Sequence, residues 1–208
     1  MDPSGDTGSL LHSAMKTPKG KIVIISGPSG VGKSTICRAV LDRVHNLVLS
    51  TSATTREQAP TETHGKEYYF FSREDFQRGI DQGEFLEHAE VFGNFYGTPK
   101  AKVDDILAQG QNVLLEIDVQ GARQIKALYS DALLIFILPP DDQALKKRLD
   151  GRGRDSHENV ENRLKKAHTE IAAARQFYDD MVTNDALEQA IQDVIRIIQT
   201  NSKSKQMN

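Results

Sequence analysis

Ile22-Val23-Ile24-Ile25-Ser26-Gly27-Pro28-Ser29-Gly30-Val31-Gly32-Lys33-Ser34-Thr35 is the stretch on which the fold turns. Ile22 to Ile25 form a short continuous apolar run, the pattern of a strand buried on both faces of a parallel sheet. Gly27 to Ser34 match G-x-x-x-x-G-K-[ST], and Ser34 to Val44 read as the helix that this motif requires after its turn. Glycines at both ends let the backbone bend tightly, so that successive N–H groups aim at phosphate oxygens. The helix behind them presents its positive end to the same anion. Lys33 then reaches the β- and γ-phosphates, and the Ser34 hydroxyl is placed to ligate Mg2+. A strand before the motif and a helix after it make a nucleoside triphosphate with Mg2+ the implied donor.

Outward from this unit the chain alternates. Val113 to Ile117 and Leu133 to Leu138 repeat the buried-strand pattern, with helical segments between and after them. Such alternation implies right-handed crossovers and a parallel sheet covered by helices on both faces. The clearest helix runs from Ser156 to Tyr178. Val160, Leu164, Ala167, Ile171, Ala174 and Tyr178 form its apolar stripe, and Asp155 is placed to cap it. A last helix is expected over about Leu187 to Gln199. Residues 53–99 break the alternation: they are polar, aromatic-rich and punctuated by glycine, with one helix expected over about Arg73 to Gln82. The segment reads as an inserted subdomain. Residues 1–19 are Gly, Ser, Asp and Pro-rich and read as a loose tail outside the core.

Composition narrows the class. The chain has 208 residues, 26 Lys and Arg against 29 Asp and Glu, and 38% apolar residues, which suits one globular domain with insertions. A net charge of −3 argues against wrapping nucleic acid by bulk charge. The single cysteine, Cys37, excludes an internal disulfide framework and reads as core of the helix behind the glycine-rich turn. The longest apolar run, Ala132 to Leu138, is too short to span a bilayer, and no secretory signal is visible, so a cytoplasmic protein is expected. The six histidines are scattered without metal-ligand spacing. Nothing in the sequence specifies an oligomeric state.

A glycine-rich phosphate turn does not by itself choose between a GTPase, an ATP-driven motor and a small-molecule kinase. No Asn-Lys-x-Asp guanine-reading segment is present, and an inserted polar subdomain suits a kinase that must hold an acceptor. Further segments then carry a resemblance. They are Ser50-Thr51-Ser52-Ala53-Thr54-Thr55-Arg56, His64-Gly65-Lys66-Glu67-Tyr68-Tyr69-Phe70, Gly83-Glu84-Phe85-Leu86-Glu87 and Gly93-Asn94-Phe95-Tyr96-Gly97-Thr98. Leu115-Glu116-Ile117-Asp118-Val119-Gln120-Gly121, Arg152-Gly153-Arg154-Asp155-Ser156 and Asn184-Asp185 complete the set. In this order and spacing, from Lys21 to about Ile198, the chain resembles guanylate kinases, a family of P-loop nucleoside monophosphate kinases.

The resemblance implies an α/β P-loop three-layer fold with a central parallel sheet, an inserted mixed α+β nucleoside-monophosphate-binding subdomain and a helical lid. The core is expected over 20–52, 100–140 and 161–208, the GMP-binding subdomain over 53–99 and the lid over 141–160. The implied reaction is transfer of the γ-phosphoryl group of ATP to GMP, with dGMP as a further acceptor, giving ADP and GDP in GMP recycling. ATP is expected to meet Gly27, Pro28, Ser29, Gly30, Val31, Gly32, Lys33, Ser34, Thr35, Arg152 and Asn184. Ser52, Glu87 and Thr98 are implied to face the guanine, with Glu116 near the base or ribose edge. A carboxylate such as Glu87 accepts from N1–H and the 2-amino group together, while hydroxyls serve O6. Adenine would leave these buried partners unpaired, at about 1–3 kcal/mol each. On its own, Glu87 reads as a solvated surface glutamate. Arg56, Tyr68 and Tyr96 match positions that hold the acceptor phosphate, although the tyrosines alone read equally as aromatic core.

One position departs from the family pattern. Ala59 stands where a second phosphate-binding arginine is usual, with Lys66 and Arg73 as candidate substitutes. Lys146, Lys147, Arg148, Arg152 and Arg154 crowd cations into the expected lid, and Gly151 and Gly153 would let it move. Arg148, Arg152 and Arg163 match arginines that close over the triphosphate and, with Lys33, form the expected catalytic set. Ser34 and Asp118 are the expected Mg2+ residues. Asp118 is placed two residues after Glu116 on the same strand face. Two other readings stand beside the enzyme: a non-catalytic binding module of the same fold, and a P-loop kinase for another phosphorylated acceptor.

Overall fold

The computed structural model describes residues 20–150 and 157–204. The expected tail, and the lid residues Gly151 to Ser156 with Arg152, Arg154 and the Asp155 cap, lie outside the described residues. In chain order the elements are β1 (Ile22–Ser26), α1 (Lys33–Arg43), β2 (Leu47–Leu49), β3 (Ala53–Thr54), β4 (Tyr69–Phe70), α2 (Arg73–Asp81), β5 (Phe85–Val91) and β6 (Asn94–Pro99). Then follow α3 (Lys100–Ala108), β7 (Asn112–Glu116), α4 (Val119–Leu128), β8 (Leu133–Leu138), α5 (Asp142–Asp150), α6 (His157–Ala174), β9 (Asp180–Thr183) and α7 (Leu187–Ser204).

The fold is α/β, with a five-stranded parallel sheet in the order β2-β7-β1-β8-β9. The alternation of side chains along β1 creates its two cores. Val23 and Ile25 pack with Ile36 and Val40 of α1 and Val194 and Ile198 of α7. Ile22 and Ile24 face the other way, onto Val103 and Leu107 of α3 and Ala122 and Ile125 of α4. Each face is sealed by helices, which is why β1 can be apolar at each position from Ile22 to Ile25. Truncating such a residue to alanine costs about 2–5 kcal/mol. A smaller cluster of Leu145, Leu149, Val160 and Ala167 ties α5 to α6.

A second sheet, ordered β4-β3-β6-β5, is formed by strands that lie between Ala53 and Pro99. Its small core is aromatic: Phe76 of α2 is fully buried, stacked 4.4 Å from Phe85 and 5.5 Å from Phe95. Ser72 caps α2 by accepting from the Asp75 N–H.

Several boundaries differ from the sequence reading. Strands β2 and β9 carry no periodic signal, because three and four residues are too few to show one. Helix α6 ends at Ala174, so Tyr178 lies beyond it and packs edge-on against Phe136. Helix α7 runs on to Ser204. Asp118 is not on the strand with Glu116: β7 ends at Glu116, and Asp118 is the N-cap of α4, its carboxylate accepting from the Gly121 N–H at 2.9 Å. A helix beginning at Val119 needs such an acceptor for its first amides, which draws Asp118 out of the strand. Among the described residues no helix is long and apolar enough to cross a membrane.

Candidate active site

The site lies at the carboxyl ends of the parallel strands, where open α/β sheets receive ligands. At the end of β1 the chain turns through Gly27–Gly32 into α1. Gly32 occupies the helix N-cap position with φ 101° and no side-chain cap, leaving the first amides of α1 open to an anion. A Cβ at Gly27 would stand 2.5 Å from the Ile137 carbonyl oxygen, so the turn can lie this close to β8 only with glycine. Lys33 folds back on the turn, donating to the Gly27 and Pro28 carbonyls at 2.6 and 3.1 Å. The Ser34 hydroxyl donates to Glu116 at 2.7 Å.

The turn is braced from behind. The carbonyl of Val31, itself buried, accepts Asn184 Nδ2 at 2.7 Å and an Arg148 N–H at 3.3 Å, and Arg148 donates again to the Asn184 carbonyl at 3.0 Å. Arg148, expected over the triphosphate, therefore grips the phosphate turn through main-chain carbonyls and does not line the cavity. Asn184, expected at the adenine, gives one of its two amide N–H groups to the same carbonyl. Its buried Oδ1 has no hydrogen-bond partner among the described residues. Cys37 is buried in the core; burial pushes its thiol pKa well up, and the nearby Glu116 adds to this.

Across from the turn, the second sheet supplies the other wall. Pairing of β5 with β6 sets Glu87 opposite Thr98, whose hydroxyl donates to Glu87 Oε1 at 2.6 Å. The Thr98 hydroxyl proton is thus spent on Glu87, whereas the resemblance would offer it to the base. Glu87 is 4% exposed, and burial raises its pKa to about 7 against the pull of the Thr98 hydrogen bond, with the Asp118 charge adding to the rise. Its carboxylate rests against the first turn of α4, where a Cβ on Gly121 would fall within 2.8 Å of Glu87 Cδ and closer still to Oε2.

Tyr68 and Tyr96 meet edge-to-face at 6.0 Å, and the Arg56 guanidinium lies 5.4 Å from the Tyr68 ring centre. Arg56 is held by Glu62 at 2.7 Å and by the Glu57 carbonyl at 2.7 Å. The Glu62 hydrogen bond keeps the guanidinium pKa above its ordinary value. Burial, with the Glu116 charge behind it, pushes the Tyr68 hydroxyl pKa up to about 12, so it remains a donor. Neither proposed substitute for the absent arginine lines the cavity: Lys66 lies beside Glu67, and Arg73 bonds the Gly93 carbonyl and covers Phe95.

The two walls enclose one cavity of about 530 Å3. Ser29, Gly30, Gly32, Lys33, Ser34 and Thr35 line it on one side, and Ser52, Arg56, Tyr68, Glu87 and Tyr96 on the other. Glu116 and Asp118 lie between, and Arg163 enters from α6. Thr98 sits behind Glu87, outside the lining. Phe92, Lys166 and Glu170 also line it, and none of them was among the candidate site residues. The helical spacing from Arg163 to Lys166 and Glu170 was the available signal, since residues three, four and seven apart share one face. Burial raises the Glu170 pKa to about 7, while the Lys166 and Lys33 charges pull it back.

Comparison with known proteins agrees with this architecture. The family model described as guanylate kinase matches residues 19–201. The chain is 46% identical to the guanylate kinase of Carboxydothermus hydrogenoformans over 91% of its own length and 93% of that protein's. It is 50% identical to the guanylate kinase of Trichormus variabilis over 83% and 86%. Among solved structures, guanylate kinase from Anaplasma phagocytophilum superposes with a TM-score of 0.75 at 35% identity, covering 90% of this chain and 88% of that one.

Proposed function

Because the chain belongs to the guanylate kinase family, we infer that it transfers a phosphoryl group from ATP to GMP, giving ADP and GDP. One observation carries the reading at the level of chemistry: a single cavity has open helix amides at one end and a desolvated carboxylate, Glu87, at the other. The first suits a triphosphate. The second suits a base that offers two adjacent N–H donors, as guanine does and adenine does not.

The division of labour follows the walls. Residues 20–52, 100–140 and 161–208 serve as the P-loop core, 53–99 as the GMP-binding subdomain and 141–160 as the lid. On triphosphate binding, Lys33 exchanges the Gly27 and Pro28 carbonyls for phosphate oxygens. Arg148 and Asn184 keep the turn rigid through Val31, so its amides need no reorganisation when charge develops. Arg56, with the Tyr68 and Tyr96 hydroxyls, grips the GMP phosphate. Glu87 takes the guanine N1–H and amino group, with Ser52 beside it at the cavity wall. No general base is required, because a phosphate monoester has a second pKa of about 6 and its oxygen is mostly ionised at pH 7. Positioning and charge neutralisation by Lys33 and Arg163 remain, together with Arg152 from the undescribed part of the lid.

The oxygen donors Ser34, Glu116 and Asp118 suit Mg2+, a hard cation that takes few protein ligands and keeps its waters and phosphate contacts. Bound there, Mg2+ would neutralise charge on the phosphate oxygens. The hydrogen bond that Glu116 accepts from Ser34 supports a part for it at this end of the cavity as well as near the base or ribose edge. A coupled assay of ADP release tests the reading. ADP is expected with GMP and not with AMP, UMP or no acceptor, and equal rates with AMP would refute it.

A further inference from the structure

The hairpin between β5 and β6 turns through Phe92 and Gly93, with φ of 49° and 78°. Two positive φ values in a two-residue loop define a turn for which Asn-Gly is the favoured sequence, and a bulky side chain at the first position is strained. Phe92 is also 54% exposed, so the core does not explain it. A residue that breaks the local rule without gaining burial points to a role elsewhere. Its ring meets α6, where Lys166 Nζ lies 4.8 Å and Arg163 Cζ 5.1 Å from the ring centre. All three residues line the cavity. Arg163 and Lys166 sit three apart on one helix face with like charges, and Lys166 also reaches Glu170 at 3.8 Å. The negative face of an aromatic ring allows both to converge on one point.

We propose that Phe92 is a positioning residue: its ring latches the tip of the acceptor subdomain onto α6 and holds Arg163 at the mouth of the cavity. This rests on the reading above, in which Arg163 neutralises charge on the transferred group. The ring acts through Arg163, so its removal lowers kcat while leaving the substrate-holding walls intact.

The chain contains no tryptophan, so Phe92→Trp supplies a single fluorophore that keeps the ring face. Phe92→Leu keeps the apolar bulk without the ring, and Phe92→Asn installs the residue the turn favours. Phe92→Trp is expected to stay within about twofold of the parent kcat. Phe92→Leu and Phe92→Asn are expected to lose about tenfold in kcat, with the KM for GMP within about threefold and no fall in the thermal midpoint of Phe92→Asn. In an Arg163→Ala background, Phe92→Leu should cause no further loss. Parental kcat in Phe92→Leu, or an undiminished extra loss in that background, would overturn the proposal. Independently of activity, introducing Arg163→Ala or Lys166→Ala should shift the emission of the Phe92→Trp protein, and unchanged spectra would also overturn it. If the parent protein transfers no phosphate to GMP, the functional reading fails while the emission test of the contact still stands.

Discussion

Gly121→Ala tests the part proposed for the Glu87 carboxylate without changing that residue. Gly121 lies in the first turn of α4, in a helical backbone that alanine prefers by up to about 1 kcal/mol, so the substitution brings no backbone strain. The difficulty is space. The new methyl would stand 2.8 Å from Glu87 Cδ and nearer to Oε2, where ordinary contact begins at about 3.4 Å. Glu87 is 4% exposed and tied to Thr98, so the carboxylate must retreat by something on the order of 1 Å. A displacement of that size at a reacting or reading group costs up to about a hundredfold. Losing one charge-assisted hydrogen bond, at about 1.5–3 kcal/mol, gives about tenfold to a hundredfold by a separate route. The expected result is a fall of that size in kcat/KM for GMP, with the KM for ATP within about twofold, measured by coupled ADP release. Combined with Glu87→Gln, the two losses should fail to add, because both act on one contact. A folded Gly121→Ala protein with the parental KM for GMP would refute the reasoning.

The raised Glu87 pKa predicts opposite pH effects on binding and on stability. Protonation removes the acceptor for two N–H donors, so kcat/KM for GMP should fall below pH 7 in the parent, and this limb should vanish in Glu87→Gln. For stability, the folded pKa of about 7 lies above the ordinary 4.5, so the folded state favours the proton. That contribution is complete below pH 4.5 and is lost as pH rises through 7, to a total of about 3 kcal/mol. Glu87→Gln should therefore raise the thermal midpoint by several degrees at pH 8.5 and leave it nearly unchanged at pH 4.5; an equal shift at both pH values would contradict this. Lys33→Ala should abolish turnover and keep the circular dichroism spectrum of the parent, since the Lys33 side chain lines the cavity and is no part of the apolar core. Ala59→Arg should lower the KM for GMP by about tenfold by adding a charged donor to the Arg56 side of the site, and an unchanged KM would show that Arg56 with the tyrosines suffices.

How far the sequence could be read depended on how local each feature is. Strand β1, its glycine turn and α1 form one contiguous run, and the buried strands β7 and β8 announce themselves as apolar stretches. Strands β2 and β9 do not, because a three- or four-residue strand is defined by its neighbours' hydrogen bonds and not by its own pattern. The aromatic segment 53–99 read as an insertion, yet its sheet order and the stacking of Phe76 depend on pairings between distant positions.

The active site divides along the same line. The amides of the phosphate turn were predictable, since glycine freedom and helix polarity act between adjacent residues. The hydrogen bonds of Arg148 and Asn184 to Val31 were not: they span 117 and 153 residues of sequence, and only packing brings such distant groups together. Glu87 is the clearest case. As a lone glutamate it reads as surface, and what makes it a desolvated carboxylate is the β5–β6 register that hands it Thr98 and the missing side chain at Gly121. Residue types alone specified the glycine turn and the helix behind it, and with them the place where a phosphate is expected. The tertiary structure decided which carboxylate is dry and which cations face the cavity, because desolvation belongs to surroundings that no single stretch of chain contains.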